Sequence, residues 1–363
     1  MTRGDGLPAP ARPHLRGQTP ESLQALVPGL GPGPARRALQ RLVGDDGDTL
    51  DGVRGLSREL ARALLGRGRR DRLALVDRRA SRVDPFVKYL FRAPDGARFE
   101  TVRIPLERPR YSVCVSSQAG CGLACAFCET GRIGLDRSLD AWEIVEQVLA
   151  VRRDSPDRPV TGVVFQGQGE PFQNYEAVIR AAEVLRHPNG ARIRGDRITI
   201  STVGVLPAIE RYTEEGHPYR LILSLTSAFQ EKRHALVPLA ARWDVEALAE
   251  AARRHAARRG GPVQLAWVLM GGVNDGPEEA RALGRLFRGA RVRLSVIDVN
   301  DPTGRFRRAT DGERGRFLGA LAESGIGFVR RYSGGPDIHA ACGMLASTPL
   351  DARLVPAPAG ARA

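Results

Sequence analysis

Hydrophobic positions change their period twice along this 363-residue chain. Between residues 21 and 68 apolar side chains recur at helical spacing. Ala38, Leu39 and Leu42 do so in PARRALQRLVG, and Leu56, Leu60 and Leu64 in LSRELARALLG. Gly44 and Gly66 are stop signals, so a small helical domain is predicted over 21–68. The Arg-dense GRGRRDR (66–72) reads either as a phosphate-facing turn or as a solvated linker. From residue 73 the period falls to two. LALVD, VKYLFRA and FETVRIP alternate, with PDG (94–96) as a turn, which predicts a short β-hairpin linker over 69–110.

From residue 111 strand-like runs (111–116, 160–166, 197–201, 219–225, 263–270 and 291–299) alternate with helix-like ones. AWEIVEQVLAVRR follows Asp140, with Glu143 three residues on, a capping-box spacing. YEAVIRAAEVLR, LPAIERYTEE, a run from Asp244 and a run with Pro277 in its first turn follow. Such repeats specify an α/β fold with a parallel sheet and right-handed crossovers. Six of them are too few for a closed eight-fold barrel. A partial, open (β/α)6 barrel over 111–346 is the expectation, with a further strand-like run at GFVRRY (327–332). Residues 1–20 and 347–363, rich in Pro, Ala and Arg, read as disordered tails.

Composition narrows the function classes. No apolar run reaches the roughly 18 residues of a membrane span, so no membrane partner is expected. The N-terminus has no apolar secretory core, which points to the cytoplasm. Net charge is +14, and all but two of the 55 basic residues are Arg, the exceptions being Lys88 and Lys232. Guanidinium binds phosphate bidentately and stacks on bases, so a nucleic-acid partner fits, although a GC-rich coding bias would also give many Arg.

Four of the five cysteines fall close together, Cys114, Cys121, Cys125 and Cys128, with Cys342 far away. In a reducing compartment such a cluster reads as a metal or redox site. CGLACAFC spaces Cys121, Cys125 and Cys128 as C-x3-C-x2-C, just after the first barrel strand, where open α/β folds bind ligands. Three thiolates suit an iron–sulfur cluster with one open iron. Structural zinc is the alternative, but it wants a fourth ligand at a spacing absent nearby.

C-x3-C-x-aromatic-C, with Phe127 in the aromatic position, is the signature of radical S-adenosylmethionine (SAM) enzymes. The wider segment VCVSSQAGCGLACAFCETGRIGLDRSL closely resembles the RlmN-like and Cfr-like radical-SAM RNA methyltransferases. The resemblance runs from about residue 85 to 346, and more weakly through 21–66. It implies a [4Fe–4S] cluster on Cys121, Cys125 and Cys128, and SAM, two per turnover. GQGEPFQN (167–174) matches the SAM motif, which assigns Gly169 and Glu170 to the cofactor. ISTVG gives Ser201 and SLTS gives Ser224, Leu225 and Thr226. VNDP gives Asn300. Gln168 stands where the family has Met, Thr226 where it has His, and Asp301 is inserted before a Pro. FETVRIP carries the family's proposed proton acceptor, Glu100. Cys342 matches the methyl-carrying thiol and Cys114 the resolving thiol.

The implied chemistry answers a real difficulty. An adenine ring carbon is a poor nucleophile, so polar transfer of a SAM methyl fails there. The resemblance implies that Cys342 takes a methyl from one SAM. A second SAM, cleaved at the cluster, yields a radical that activates the methyl for addition to the base. Glu100 then removes the ring proton, and Cys114 attacks Cys342 to free the product and leave a disulfide. The expected product is an adenosine methylated at carbon 2 in 23S rRNA, with tRNA a second substrate; the SSQ of VCVSSQAGC and the helical domain favour carbon 2 over carbon 8. A flavodoxin- or ferredoxin-type electron donor and a monomeric chain are the remaining expectations. The departures at Gln168, Thr226 and Asp301 make a specialised paralogue an alternative. A radical-SAM enzyme for a peptide or small molecule, and a non-catalytic iron–sulfur RNA binder, stay open as other classes.

Overall fold

The computed structural model describes residues 12–107 and 109–347. Three helices come first: α1 (Pro20–Leu26), α2 (Pro32–Leu39) and α3 (Arg58–Arg67). Each starts where its sequence allows. Thr19 caps α1 by accepting from the Ser22 amide, Pro32 opens α2, and Ser57 caps α3 by accepting from the Leu60 amide. These helices occupy the stretch expected as a helical domain, and their core is continuous with that of the barrel.

Three antiparallel strands follow, β1 (Ala74–Ala80), β2 (Val87–Arg92) and β3 (Arg98–Pro105). This stretch, expected as a linker hairpin, is a meander whose last strand pairs antiparallel with β4 (Tyr111–Val115), so it extends the main sheet. A small ribbon of β5 (Gln118–Gly120) and β6 (Leu135–Ser138) brackets the cysteine loop and the one-turn helix α4 (Glu129–Arg132).

The alternating part then runs α5 (Ala141–Arg153), β7 (Val160–Phe165), α6 (Tyr175–Arg186), β8 (Ile198–Thr202), α7 (Leu206–Glu215), β9 (Arg220–Ser224), α8 (Gln230–Leu236), α9 (Val245–Arg259), β10 (Val263–Leu269), α10 (Pro277–Leu286), β11 (Val292–Asp298), α11 (Asp311–Glu323) and β12 (Gly327–Arg331). The six predicted strands all form, and the seventh run, β12, joins them in parallel beside β11. Glu143 accepts from the Asp140 amide at 2.7 Å, half of the predicted capping box at the start of α5.

The ten-stranded sheet ends at β1 on one side and β12 on the other. No backbone ladder joins these edges among the described residues. Side chains bridge them instead. Ser81 donates to Asp337 at 2.7 Å, and Asp84 accepts from the Tyr332 hydroxyl and the Gly335 amide, both at 2.8 Å. The barrel is therefore open in its hydrogen bonding, as expected, and shut by loop contacts.

The N-terminal tail expectation needs correction. Residues 1–11 lie outside the described residues, but 12–20 are packed. Leu15 is fully buried, and His14 stacks on Trp142 of α5 with ring centres 4.0 Å apart. Arg16, also fully buried, lies 3.8 Å from Glu146 and 2.6 Å from Asp48. A buried guanidinium must find acceptors, and this segment finds them on both α5 and the helical domain. Of the tail expected over 347–363, only Ser347 lies within the described residues, and it is hydrogen-bonded rather than loose.

Candidate active site

The carboxyl ends of the parallel strands surround a cavity of about 130 Å³. Cys121, Cys125 and Cys128 line one side of it. Their loop is held at several points. The Cys121 amide donates to Gly134 at 2.7 Å, Ala126 to Leu236 at 2.9 Å and Cys128 to Cys125 at 3.1 Å. Ala124 adopts a left-handed backbone (φ 52°), which turns the chain sharply between the first two cysteines. Burial, with Cys128 and Glu170 adding like charge, pushes the Cys121 thiol up to about 11, and burial raises Cys125 further. Cys121 and Cys125 thus resist ionising on their own, and coordination by iron would offset that penalty. Among the described residues no three His, Cys, Asp or Glu side chains converge as a single metal ion would require. The three thiols instead line one wall of a shared cavity, a donor set that suits a cluster with one open iron.

Gly169, Glu170, Ser201, Ser224 and Asn300 also line the cavity, with Glu170 next to Cys121. Gly169 has φ 92°, and a Cβ there would lie 2.5 Å from that of Gln118, so the position requires glycine. Glu170 is buried, and burial raises its carboxyl. Its two oxygens accept from the amides of Phe172 and Val203, each at 3.0 Å. This fixes an acceptor beside the cavity. Asn300 donates to Asp298 at 3.2 Å and accepts from Arg308.

The other two expected cofactor residues do not line this cavity. Leu225 packs into the main core. Thr226 is fully buried with φ 66°, and its hydroxyl finds no partner among the described residues. Asn274 donates to the Thr226 carbonyl at 2.7 Å and so steadies that unusual backbone.

Glu100 and Cys114 do not line the cavity but share one face of the sheet, with Cys114 in charge range of Cys342. Val102 of β3 pairs with Lys88 of β2 on one side and Cys114 of β4 on the other. Side chains two apart share a face, so Lys88, Glu100 and Cys114 point the same way. Lys88 Nζ lies 2.9 Å from Glu100 Oε1. Glu100 Oε2 accepts from the amides of Ala346 and Ser347 at 2.7 and 3.2 Å. The carboxylate therefore anchors the segment that follows Cys342. Gln168 completes this anchor. It does not face the cofactor cavity; its Oε1 accepts from the Glu100 amide at 3.1 Å and from the Ser347 hydroxyl at 2.9 Å.

Cys342 lines the cavity too, and its loop is bolted to the cysteine loop. The Glu129 amide donates to Gly343 at 2.7 Å, and the Thr130 hydroxyl to Leu345 at 2.7 Å. The Cys342 amide donates to the Ser333 hydroxyl at 2.7 Å. Burial raises both the Cys342 and Cys114 thiols, and each would feel the other's charge or that of Cys128. All five cysteines are free thiols, so no Cys114–Cys342 disulfide is present among the described residues. Asp301 organises the following turn. It accepts from the Thr303 amide at 3.0 Å and the Phe306 amide at 2.9 Å, so the inserted residue stabilises the loop after β11.

Sequence reasoning missed Lys88, Ser333 and the structural role of Gln168. Lys88 could have been flagged as a charged residue within a strand run that is otherwise apolar and buried throughout except at its end. Gln168 and Ser333 carried no local signal, because their partners are distant in sequence.

A (β/α)-type open barrel with three thiols at the mouth of its first strand defines a radical SAM enzyme, and the sequence model of the radical SAM superfamily matches residues 115–284. Relatives narrow this. The chain is 50% identical to a probable RNA methyltransferase of Anaeromyxobacter sp. (strain Fw109-5), over 92% of this chain and 98% of the relative. It is 38% identical to the dual-specificity RNA methyltransferase RlmN of the same strain, over 93% and 91%. A crystal structure of a radical SAM methyltransferase from Sphaerobacter thermophilus superposes with a TM-score of 0.84 at 36% identity, covering 93% of this chain and 100% of that one. The chain belongs to the radical SAM RNA methyltransferase family that includes RlmN. Membership implies a [4Fe–4S] cluster and SAM.

Proposed function

We propose that this enzyme methylates carbon 2 of an unpaired adenosine in RNA, with 23S rRNA as the first substrate and tRNA as a second, through a methyl group carried on Cys342. The supporting observation is the arrangement of thiols: Cys342 lines the cavity that holds Cys121, Cys125 and Cys128, while Cys114 lies within its electrostatic reach from β4. Cluster binding alone has no use for those two extra thiols.

Cys121, Cys125 and Cys128 would hold the cluster, and Gly169, Glu170, Ser201, Ser224 and Asn300 would hold SAM. Leu225 and Thr226 would contribute by shaping the backbone at the end of β9. When bound, cluster and cofactor supply the one-electron chemistry that removes hydrogen from the carried methyl group. The protein's own work starts at Cys342, whose thiolate takes the methyl group of SAM and releases S-adenosylhomocysteine, leaving an S-methyl thioether on the protein. Glu100, fixed by Lys88, stands on the same sheet face as Cys114 to accept the ring proton. Cys114 thiolate then attacks the Cys342 sulfur. The bond from that sulfur to the product carbon breaks, that carbon takes a proton to complete the methyl group, and a disulfide forms. Two electrons and two protons from an external reductant, of flavodoxin or ferredoxin type, restore the thiols.

The identities support a paralogue of RlmN. Within one bacterial strain, the chain matches a separate RNA methyltransferase better than it matches that strain's RlmN. Gln168, which ties β3 to Ser347 here, belongs with that divergence. Anaerobic reconstitution with iron and sulfide, followed by SAM, reductant and rRNA fragments, tests the proposal. Mass spectrometry of the digested RNA should show 2-methyladenosine. The 8-methyl isomer would move the target carbon. SAM cleavage with no methylated nucleoside would move the enzyme to another substrate class.

A further inference from the structure

A second cleft, of about 230 Å³, opens beside the catalytic cavity and shares Asp298 and Asn300 with it. Its remaining walls come from Arg308 and from the run Arg330, Arg331, Tyr332 and Ser333 that leaves β12. Three arginines thus line a cleft that holds one carboxylate, although the Arg331 guanidinium turns toward Ser295 and lies near Arg293 and Arg220. Arg330 approaches Asp298 only at 3.4 Å. Arg331 is held by the Ser295 hydroxyl at 3.1 Å, and Arg308 by Asn300 and the Val299 carbonyl. Among the described residues neither of these two has a carboxylate partner. Many other surface arginines do, such as Arg78 with Asp154 and Arg211 with Glu176. The cleft therefore keeps positive charge that the protein does not neutralise.

Tyr332 stands at its rim with 71% of its surface exposed. Leaving an aromatic ring in water forgoes the stabilisation that burial would give. Yet this ring is not loose. Its hydroxyl donates to Asp84 at 2.8 Å, and Phe86 meets it edge-on at 77° with ring centres 6.1 Å apart. A ring restrained at its tip and edge, with a face bare to solvent, is a ready stacking platform. The next residue, Ser333, accepts from the Cys342 amide, so the platform adjoins the anchor of the methyl-carrying loop.

We infer that this cleft seats the nucleotide next to the methylated base, with its base stacked on Tyr332 and its phosphate on Arg330 and Arg308. The inference rests on the RNA-methyltransferase reading and adds the surface by which single-stranded RNA enters. Phosphate takes the charge that Asp298 leaves unpaired, and the stack holds the strand while the target base reaches the cavity.

The test uses the anaerobically reconstituted full chain and a fluorescein-labelled single-stranded oligoadenylate, with binding read by anisotropy over a salt series. Tyr332→Ala should weaken binding by about 5- to 160-fold, the range for one lost base stack. Tyr332→Phe, which keeps the ring, should restore most of it. Arg330→Ala should lower the slope of log affinity against log salt by about one. Arg194→Ala, ahead of β8 at the other end of the barrel, should bind like the parent. Reductive SAM cleavage without RNA should stay at the parental rate in every variant, which separates RNA docking from cofactor handling. Parental affinity in Tyr332→Ala together with a parental salt slope in Arg330→Ala would overturn the inference and leave the methyltransferase reading standing. Failure of the parent to bind RNA while still cleaving SAM would overturn both.

Discussion

Single side chains decide the chemistry here through what they touch. Cys114 is buried on β4 and has no metal to hold, so its substitution should spare the cluster. If it resolves the intermediate, Cys114→Ala should accumulate a covalent protein–RNA adduct through Cys342, seen as RNase-sensitive retarded protein on denaturing gels. Free methylated RNA at parental yield would count against that role. Lys88 and Glu100 make a different point. Both are almost wholly buried, and their ion pair stands between strands. Removing one partner leaves a buried charge, at a cost of roughly 3–5 kcal/mol. Lys88→Met should therefore lower the urea midpoint strongly. Lys88→Met with Glu100→Gln should recover much of the loss, because the amide still accepts from Ala346 and Ser347. An equal midpoint for the single and double variants would show that the pair carries no such strain.

At the scale of elements, the segment ahead of α1 ties the helical domain to the barrel. His14 is its most pH-sensitive part. Burial, helped by Arg16 and Arg69, pulls its imidazole down to about 4, although the Asp71 carbonyl pushes the other way. The ring is neutral when folded, accepting from the Arg16 amide at 3.2 Å. An unfolded chain binds that proton near pH 6.5. Between about pH 6.5 and 4 the unfolded state holds more protons, so stability is full above this window and falls as the solution is acidified through it. His14→Phe keeps the stack on Trp142 and should remove about one proton's worth of slope from unfolding free energy against pH in that window. An unchanged slope would mean that His255, also pulled down to about 4 by burial, dominates instead.

The element boundaries are largely legible in the amino-acid pattern. α6 and α7 occupy the stretches their periodicity marks, and Asp244 stands just before α9. The reason is local: apolar period, cap and Gly or Pro signals lie within the element itself. What β1 to β3 do is not legible there. Alternation marks strands, but whether a strand pairs with its neighbour alone or with a larger sheet depends on the partner edge that β4 offers. The packed residues 12–20 escape for the same reason. Their composition looks loose, and their order comes from Trp142 and Glu146 on α5.

The whole molecule brings distant segments to one mouth. The cysteine loop, the Gly169–Glu170 turn, the ends of β8, β9 and β11 and the loop of Cys342 meet there. The ten-stranded sheet does not depend on the cluster for its hydrogen bonds. Cys125→Ala should therefore lose iron–sulfur absorbance and SAM cleavage while its far-ultraviolet circular dichroism stays close to the parent's. Collapse of that spectrum would instead make the metal a folding element. Bolting the Cys342 loop to Glu129 and Thr130, and clamping its end through Glu100 and Gln168, makes the Cys342 thiol part of the barrel's rim.

The amino-acid sequence by itself determined the repeating strand–helix order, the three-cysteine spacing and the glycine before Glu170, because each is a short-range pattern with one physical reading. Only the tertiary structure decided that Glu100 is paired with Lys88, that Gln168 reaches Ser347 and not the cofactor cavity, and that Leu225 faces the core. It also placed Tyr332 and its arginines beside the catalytic mouth. Those facts follow from which strand lies against which and how far the barrel curls, and such contacts join residues too far apart in the chain for any local pattern to record them.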